Sequence, residues 1–216
     1  MAQRDEPRPP GNSPASAADR PDRGARAALA GAAVMADANQ AWDLASAIRM
    51  AQRLAPSEPG WLEEPLRADA PWSDWQQLAA AAPVPLAAGE NTLGEAGFDA
   101  LIASRAIAVV QPDLAKWGGL SGVARVVDRI HAAGLRYCPH YLGAGIGLLA
   151  SAHLLAARGT PSGWLEVDAN ENPLRNLLCP PLAALSEGRM TLPSGPGLGI
   201  EPDLPALRSA CVSRAG

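Results

Sequence analysis

Short apolar runs alternate with longer helical patterns along most of the chain. Six runs are typical of buried strands: AAVMADA, PGWLEEP, VPLAAGE, AIAVVQPD, LRYCPH and GWLEVDA. Five helical patterns lie between them: AWDLASAIRMAQRLA, PWSDWQQLAAAA, GEAGFDALIAS, LSGVARVVDRIHAAG and GIGLLASAHLLAARG. Because strand and helix alternate strictly, the pattern predicts βαβ units and a parallel sheet whose strands are covered on both faces.

Polar side chains follow the same rule at every strand-like run. Each run ends in an acid, an amide or a histidine. In parallel α/β folds the carboxyl ends of the strands are where ligands bind. A (β/α)₈ barrel of the TIM type fits best, because it brings all strand ends to one mouth. A complete barrel takes about 250 residues, so we expect an incomplete one with about six of the eight βα units.

The first 23 residues differ from the rest. They are rich in Pro, Ser, Asp and Arg and show no apolar periodicity. We expect residues 1–23 to be disordered and residues 24–216 to form the partial barrel domain.

Charge and composition exclude several classes of partner. The formal charge of −4 provides no basic surface for nucleic acid. The longest apolar stretch, IGLLASAHLLAA, is shorter than the ~20 residues of a membrane helix. Three widely spaced cysteines favour neither a disulfide framework nor a zinc site. We therefore expect a reduced cytoplasmic protein that binds neither nucleic acid nor membrane; an open sheet edge is compatible with a homo-oligomer.

Three carboxylates recur at the ends of successive runs. Asp37, Glu63 and Glu90 lie 26 and 27 residues apart, one in each βα unit. At one barrel mouth they would repel one another and raise each other's pKa unless a cation neutralised them. Ligands that are all oxygen favour a hard ion such as Mg²⁺. The alternative is that each acid caps a helix or lies in a solvated loop.

A histidine and an aspartate follow two neighbouring runs. Asp113 ends the fourth run and His140 the fifth, so their side chains should reach hydrogen-bonding distance. The aspartate would then orient the imidazole and make it a general base. A structural role for His140 is the alternative, and we assign such a role to His131 and His153 on helices.

Two further charged residues accompany these groups. Glu166 ends the last run and is a candidate for a carboxylic acid kept protonated by burial, which could donate a hydrogen bond to a substrate carboxylate. It could also be an exposed or ion-paired acid, and its neighbouring alternatives are Asp168, Glu171 and Asn172. Lys116, in QPDLAKWGG, is expected to form an ion pair with the acidic cluster rather than to transfer protons.

These segments together resemble the enolase superfamily and, within it, the mandelate racemase subgroup of the mandelate racemase/muconate lactonizing enzyme family. The resemblance runs from about residue 24 to 210 and covers the third to eighth barrel strands and the following tail. It rests on ADANQAW, WLEEPL, AAGEN, QPDLAKWGG, PHYLGAGIGLLASAHLLAA, WLEVDANENPLR and PSGPGLGIEPDL.

The resemblance implies a metal site. Asp37, Glu63 and Glu90 would bind Mg²⁺, and Asn39 would accompany the first of them. The reaction that the family implies is abstraction of the proton α to a carboxylate, with Mg²⁺ stabilising the enediolate.

The resemblance also implies an acid–base pair. His140 and Asp113 would form the catalytic dyad, with Glu166 as the electrophilic acid. The dyad distinguishes the chain from the muconate lactonizing subgroup, which has a lysine base at the position of Asp113.

Two parts of the family pattern are missing from this sequence. Family members carry an N-terminal capping domain and a second barrel strand with a Lys-x-Lys base, whereas Lys116 is the only lysine here. A one-base route through His140, such as syn elimination of water, is affected least by the missing Lys-x-Lys base. We therefore expect an acid-sugar dehydratase acting on a small carboxylate. The alternatives are a racemase or epimerase, a cycloisomerase of a hydroxy acid or lactone, and a truncated fragment without activity.

Dinucleotide binding is a further alternative. LRYCPHYLGAGIGLLAS combines a strand, glycines and a helix, as in a Rossmann turn. Its spacing is GxGxG rather than GxGxxG, and Pro139 and His140 precede the glycines, so we disfavour this interpretation.

Overall fold

A five-stranded parallel sheet organises the part of the chain that the computed structural model describes, residues 32–212. The expectation for residues 1–23 lies outside this range. The strands pair in chain order, each with the next. They are β1 (Ala36–Asp37), β2 (Leu62–Glu63), β3 (Leu86–Ala88), β4 (Val109–Val110) and β5 (Arg136–Tyr137).

Seven α-helices belong to the described range. All five helices predicted from the sequence are present, and two shorter ones follow them. They are α1 (Leu44–Leu54), α2 (Trp72–Ala81), α3 (Gly94–Ser104), α4 (Gly119–Ala132), α5 (Gly145–Arg158), α6 (Pro173–Leu178) and α7 (Leu204–Val212). None of the helices within residues 32–212 has both the length and the apolar character needed to cross a bilayer.

Local sequence accounts for where these helices begin and which side they bury. The side chain of Asp43 caps α1 by accepting a hydrogen bond from the Ser46 N–H at 2.7 Å. In α4 the buried positions recur at helical spacing and face the sheet: Gly122, Val123, Val126, Val127 and Ile130. Helix α4 therefore packs back on the sheet, where it contacts β5.

The strands separate two apolar layers. Side chains on one face of the sheet join the main core with the helices, among them Leu62 and Val110. The opposite face carries a smaller cluster that contains Trp61, Ala87, Val109 and Cys138. Because side chains alternate along a strand, polar residues that follow this smaller cluster reach the same side at the carboxyl ends of the strands.

The sixth predicted strand is a correction. Residues 163–169 adopt no strand and do not extend the ladder beyond β5. Contacts between side chains and backbone N–H groups take the place of a ladder here. The backbone N–H of Tyr141 donates to the Glu166 carboxylate, and the backbone N–H of Trp164 faces the Cys138 thiol. The segment lies beside β5 without a backbone ladder, so the described sheet has five strands rather than six.

Gly89 is a position where the packing of neighbouring strands requires glycine. Its φ is +139°, and a Cβ there would lie 2.8 Å from the backbone nitrogen of Gln111 at the end of β4. Gly94 also has a positive φ, +76°, but a Cβ there would meet nothing within 4 Å.

This contrast gives a matched test of the sheet edge. Gly94→Ala should lower the free energy of unfolding by about 1 kcal/mol through backbone strain alone. Gly89→Ala should cost about 2 kcal/mol more, because strain and a backbone clash add. Urea unfolding of both variants measures the difference, and equal losses would contradict the described approach of β3 to β4.

Candidate active site

Parallel pairing aligns the polar strand ends at one edge of the sheet. Asp37 lies directly opposite Glu63 in the ladder between β1 and β2. Glu90 follows β3, Asp113 follows β4 and His140 follows β5. The structure therefore brings the predicted residues to one place, as the alternation of strand and helix required.

Asp113 and His140 form a direct pair. The Nδ1 atom of His140 lies 2.8 Å from Oδ2 of Asp113, and both side chains are buried. The other oxygen of Asp113 accepts the backbone N–H groups of Ala115 at 2.7 Å and Lys116 at 3.2 Å. Burial opposes ionisation of Asp113, yet these hydrogen bonds from His140 and the backbone hold its pKa below the usual value. The aspartate is thus a fixed anion that orients the imidazole.

The other ring nitrogen of His140 faces two further acids. Its Nε2 lies 2.7 Å from Oε2 of Glu90 and 3.9 Å from Oε2 of Glu166. Burial disfavours the imidazolium, but the hydrogen bonds to Asp113 and Glu90 outweigh it and raise the pKa of His140 to about 10. In this arrangement His140 is protonated at neutral pH.

Glu90 is the acid of the site that two cationic side chains contact. Its Oε2 accepts hydrogen bonds from Nε2 of His140 and from the Lys116 ammonium, the latter at 2.7 Å. The hydrogen bond from His140 lowers the pKa of Glu90 to about 2 against the effect of burial, with Lys116 adding to it. Lys116 thus forms the ion pair with the acidic cluster that its sequence position predicts.

Asp37 and Glu63 form no ion pair with the part of the chain that the structure describes. Partial burial raises the pKa of Asp37, and the charge of Glu90 adds to this effect. Asn39 opposes it by donating hydrogen bonds to both carboxylate oxygens of Asp37, at 2.7 and 2.8 Å. Burial also raises the pKa of Glu63, and the charges of Asp37 and Glu90 reinforce it. The three acids interact electrostatically. A positive charge nearby would favour the ionised forms of Asp37 and Glu63, whose pKa values are raised.

Glu64 is the residue that sequence reasoning missed. It is 2% exposed, its φ is +36°, and Asn91 Nδ2 donates to its two oxygens at 3.1 and 2.9 Å. Burial, followed by the charge of Glu90, raises the pKa of Glu64 to about 7. The doublet in WLEEPL was visible, but the backbone turn that directs the second acid inward has no signal in the sequence.

Glu166 lies next to His140 but is held more loosely. Its Oε2 accepts the Tyr141 N–H at 3.3 Å, and its side chain is 44% exposed. Partial burial of the Glu166 side chain raises the pKa of its carboxyl group. Its neighbours serve other purposes: Asp168 pairs with Arg175, and Asn172 caps α6 and donates to the Gly143 carbonyl. Glu166 is therefore the acid of this segment that faces the dyad.

The remaining histidines and the glycine-rich loop lie elsewhere in the packing. His131 contacts the carbonyl of Arg158, and His153 contacts that of Leu198. A Cβ at Gly145 would collide with the backbone of α6, and one at Gly147 with the Tyr141 ring. Close packing accounts for these glycines without a bound dinucleotide.

The donor chemistry of the site fits a hard divalent cation. Within residues 32–212 no three His, Cys, Asp or Glu side chains are grouped closely enough to form a metal cluster. Asp37, Glu63 and Glu90 nevertheless offer only oxygen donors from three successive strand ends, and partial burial, reinforced by the charge of Glu90, raises the pKa of Asp37 and Glu63. Mutually repelling oxygen ligands are the set that Mg²⁺ prefers.

Comparison with protein families agrees with this geometry. A family model described as enolase C-terminal domain-like matches residues 11–206. A crystal structure of a mandelate racemase/muconate lactonizing enzyme from Bordetella bronchiseptica RB50 is 63% identical, with a TM-score of 0.83; the match covers 87% of this chain and 52% of that one.

Characterised relatives belong to the same group. D-galactarolactone cycloisomerase from Agrobacterium fabrum is 33% identical over 81% of this chain and 48% of its own length. L-talarate/galactarate dehydratase from Salmonella typhimurium is 35% identical over 77% of this chain and 39% of its own length. The chain therefore spans half or less of the length of these two relatives.

The protonation of His140 can be tested in the ion-free protein. Since its folded-state pKa lies above the unfolded value of about 6.5, the pair contributes stability that is complete below about pH 6.5 and is lost as the pH rises toward 10. In EDTA, carbon-13 NMR should show His140 still protonated at pH 8. Asp113→Asn should lower the midpoint, and Asp128→Asn, on the surface of α4, should not. A wild-type midpoint near the unperturbed value would contradict the described contacts.

Proposed function

The chain belongs to the enolase C-terminal domain-like family, with the fold of part of a TIM-type barrel, and from that premise we propose that its site abstracts the proton α to a carboxylate. The observation that carries the proposal is the Asp113–His140 pair, which lies beside three strand-end acids. The proposed substrate is a small acid sugar, because the related enzymes are named for galactarate, talarate and galactarolactone.

The acids divide into two proposed roles. Asp37, Glu63 and Glu90 are the residues that would hold Mg²⁺, and Asn39 fixes the first of them. When bound, the ion supplies positive charge that stabilises the negative charge developing on the substrate carboxylate. Glu166, whose pKa is raised by burial, would donate a hydrogen bond to the same carboxylate group from the side of the dyad.

His140 would act through its Nε2 atom. Asp113 holds Nδ1 at 2.8 Å and so leaves Nε2 as the proton-transferring atom. Its high pKa depends on Glu90 as well as on Asp113. When the Glu90 carboxylate is engaged elsewhere, the imidazole loses the acceptor at Nε2 and its pKa falls, so a larger fraction of His140 is neutral and able to take up a proton.

Dehydration is the reaction that these groups complete on their own. His140 removes the α-proton, and the electron pair of that C–H bond forms the enediolate. The C–O bond at the β-carbon then breaks, and His140 returns its proton to the departing hydroxide, which leaves as water. The enol that remains tautomerises to a 2-keto acid, so one base on one face suffices.

Dehydration has two alternatives. A cycloisomerase or racemase would share the same proton abstraction, and one relative is a cycloisomerase; racemisation would need a second base on the opposite face of the substrate. A fragment without activity is the alternative of another class, and the isotope-exchange test below distinguishes it from an enzyme.

Ion binding provides the first test of the proposed metal site. Millimolar Mg²⁺ should raise the Tm of the wild-type chain, since an ion at 100 times its Kd adds about 2.7 kcal/mol to the folded state. Glu63→Gln should remove most of this increase, because it replaces a carboxylate ligand with an amide. The control Glu95→Gln, in an ion pair between α3 and α4, should keep it. An unchanged Tm in the wild type would overturn the metal site.

Isotope exchange provides the test of the chemistry. With galactarate and Mg²⁺ in D₂O, the wild type should release a keto acid and incorporate deuterium at the carbon next to its carbonyl group, where the enol is protonated, both measured by proton NMR. His140→Asn should reduce both rates by 10²-fold or more, whereas His131→Asn should leave them unchanged. If Mg²⁺ binds and neither keto acid nor exchange at the substrate α-carbon appears, the chain is the inactive fragment; exchange at that carbon without keto acid would favour the racemase alternative.

A further inference from the structure

Trp61 lies two residues before Glu63, directly ahead of β2. Side chains two apart on a strand share a face, and the indole Nε1–H of Trp61 donates to Oε2 of Glu63 at 3.1 Å. Trp61 is only 6% exposed. This hydrogen bond is therefore shielded from water, and it ends on an acid proposed above as a metal ligand.

We propose that Trp61 is a positioning residue that orients the Glu63 carboxylate for a divalent cation. The proposal rests on the metal site of the proposed function. An indole N–H can only donate, so it secures one oxygen of Glu63 without adding a ligand that would compete for the ion.

Contacts from two directions hold Trp61 in place. Its backbone carbonyl accepts the Ala36 N–H at 3.1 Å, which connects the Trp61 backbone to the strand that carries Asp37. Its ring meets the ring of Trp164 edge to face, with centroids 6.5 Å apart and an interplanar angle of 75°. Because Trp164 precedes Glu166 by two residues, Trp61 connects the strand of one metal ligand with the segment of the electrophilic acid.

Space filling is the competing explanation for Trp61. The ring belongs to the small interior cluster with Ala87, Val109 and Cys138. A residue that only fills this space would affect the free energy of unfolding and leave the ion affinity alone. A residue that orients Glu63 would affect the ion affinity, because the hydrogen-bond partners of metal ligands typically contribute about 10–100-fold to that affinity.

The chain offers a matched control in Trp75 on α2. Trp75 is 1% exposed, and its Nε1 is buried without a hydrogen-bond partner. Trp75→Phe and Trp61→Phe remove the same atoms from two buried sites, but only the second removes a hydrogen bond to a proposed ligand. Trp75→Phe should therefore leave the Mg²⁺ affinity unchanged whatever it does to stability.

The test is Mg²⁺ titration by calorimetry of the wild type, Trp61→Phe and Trp75→Phe. We expect the Kd of Trp61→Phe to be about 10-fold weaker and that of Trp75→Phe to equal the wild-type value. Equal affinity in all three proteins would overturn the positioning role while leaving the metal site intact. A wild type that binds no Mg²⁺ would overturn both.

A spectroscopic measurement on the wild type does not depend on how well a variant folds. The indole N–H resonance of Trp61, assigned through bonds, should shift during Mg²⁺ titration, because its acceptor carboxylate changes partner. The indole resonance of Trp75 should stay constant. A Trp61 resonance that ignores an ion bound by calorimetry would contradict the proposal, and a saturable shift at the calorimetric Kd would support it.

Discussion

The repulsion among acids at one end of a parallel sheet is the constraint on which the rest of the site depends. The parallel register places Asp37 directly opposite Glu63 in the ladder between β1 and β2. Glu63 is partly buried, so water screens the repulsion only in part. Every neighbouring polar contact reduces this cost: Asn39 on Asp37, Trp61 on Glu63, Asn91 on Glu64, and Lys116 with His140 on Glu90.

This constraint explains why His140 is cationic here and why its partners matter. Glu90 and Asp113 lie on opposite sides of one imidazole, at 2.7 and 2.8 Å from its two nitrogens. Two buried anions stabilise a proton that burial alone would remove. One of these two acids, Glu90, is also a proposed ligand of the cation, so ion binding there would lower the basicity of His140.

Sequence reasoning succeeded where a repeating pattern carried the information. Five helices and five strands follow from apolar periodicity, and the Asp113–His140 pair follows from two neighbouring strand ends. It failed where single contacts decided: residues 163–169 pair through Glu166 and Cys138 rather than through a ladder, and Glu64 enters the site through a left-handed φ. Pattern predicts which residues share an edge, whereas individual hydrogen bonds decide which acid faces which partner.

Asp37, Glu63 and Glu90 are proposed to bind one divalent cation at the ends of β1, β2 and β3. X-ray diffraction from crystals grown with Mn²⁺, recorded at a wavelength where manganese scatters anomalously, tests this directly. We expect a single strong anomalous peak bonded to oxygens of all three carboxylates. A map without that peak, or a manganese ion bound by other side chains of the chain, would contradict it.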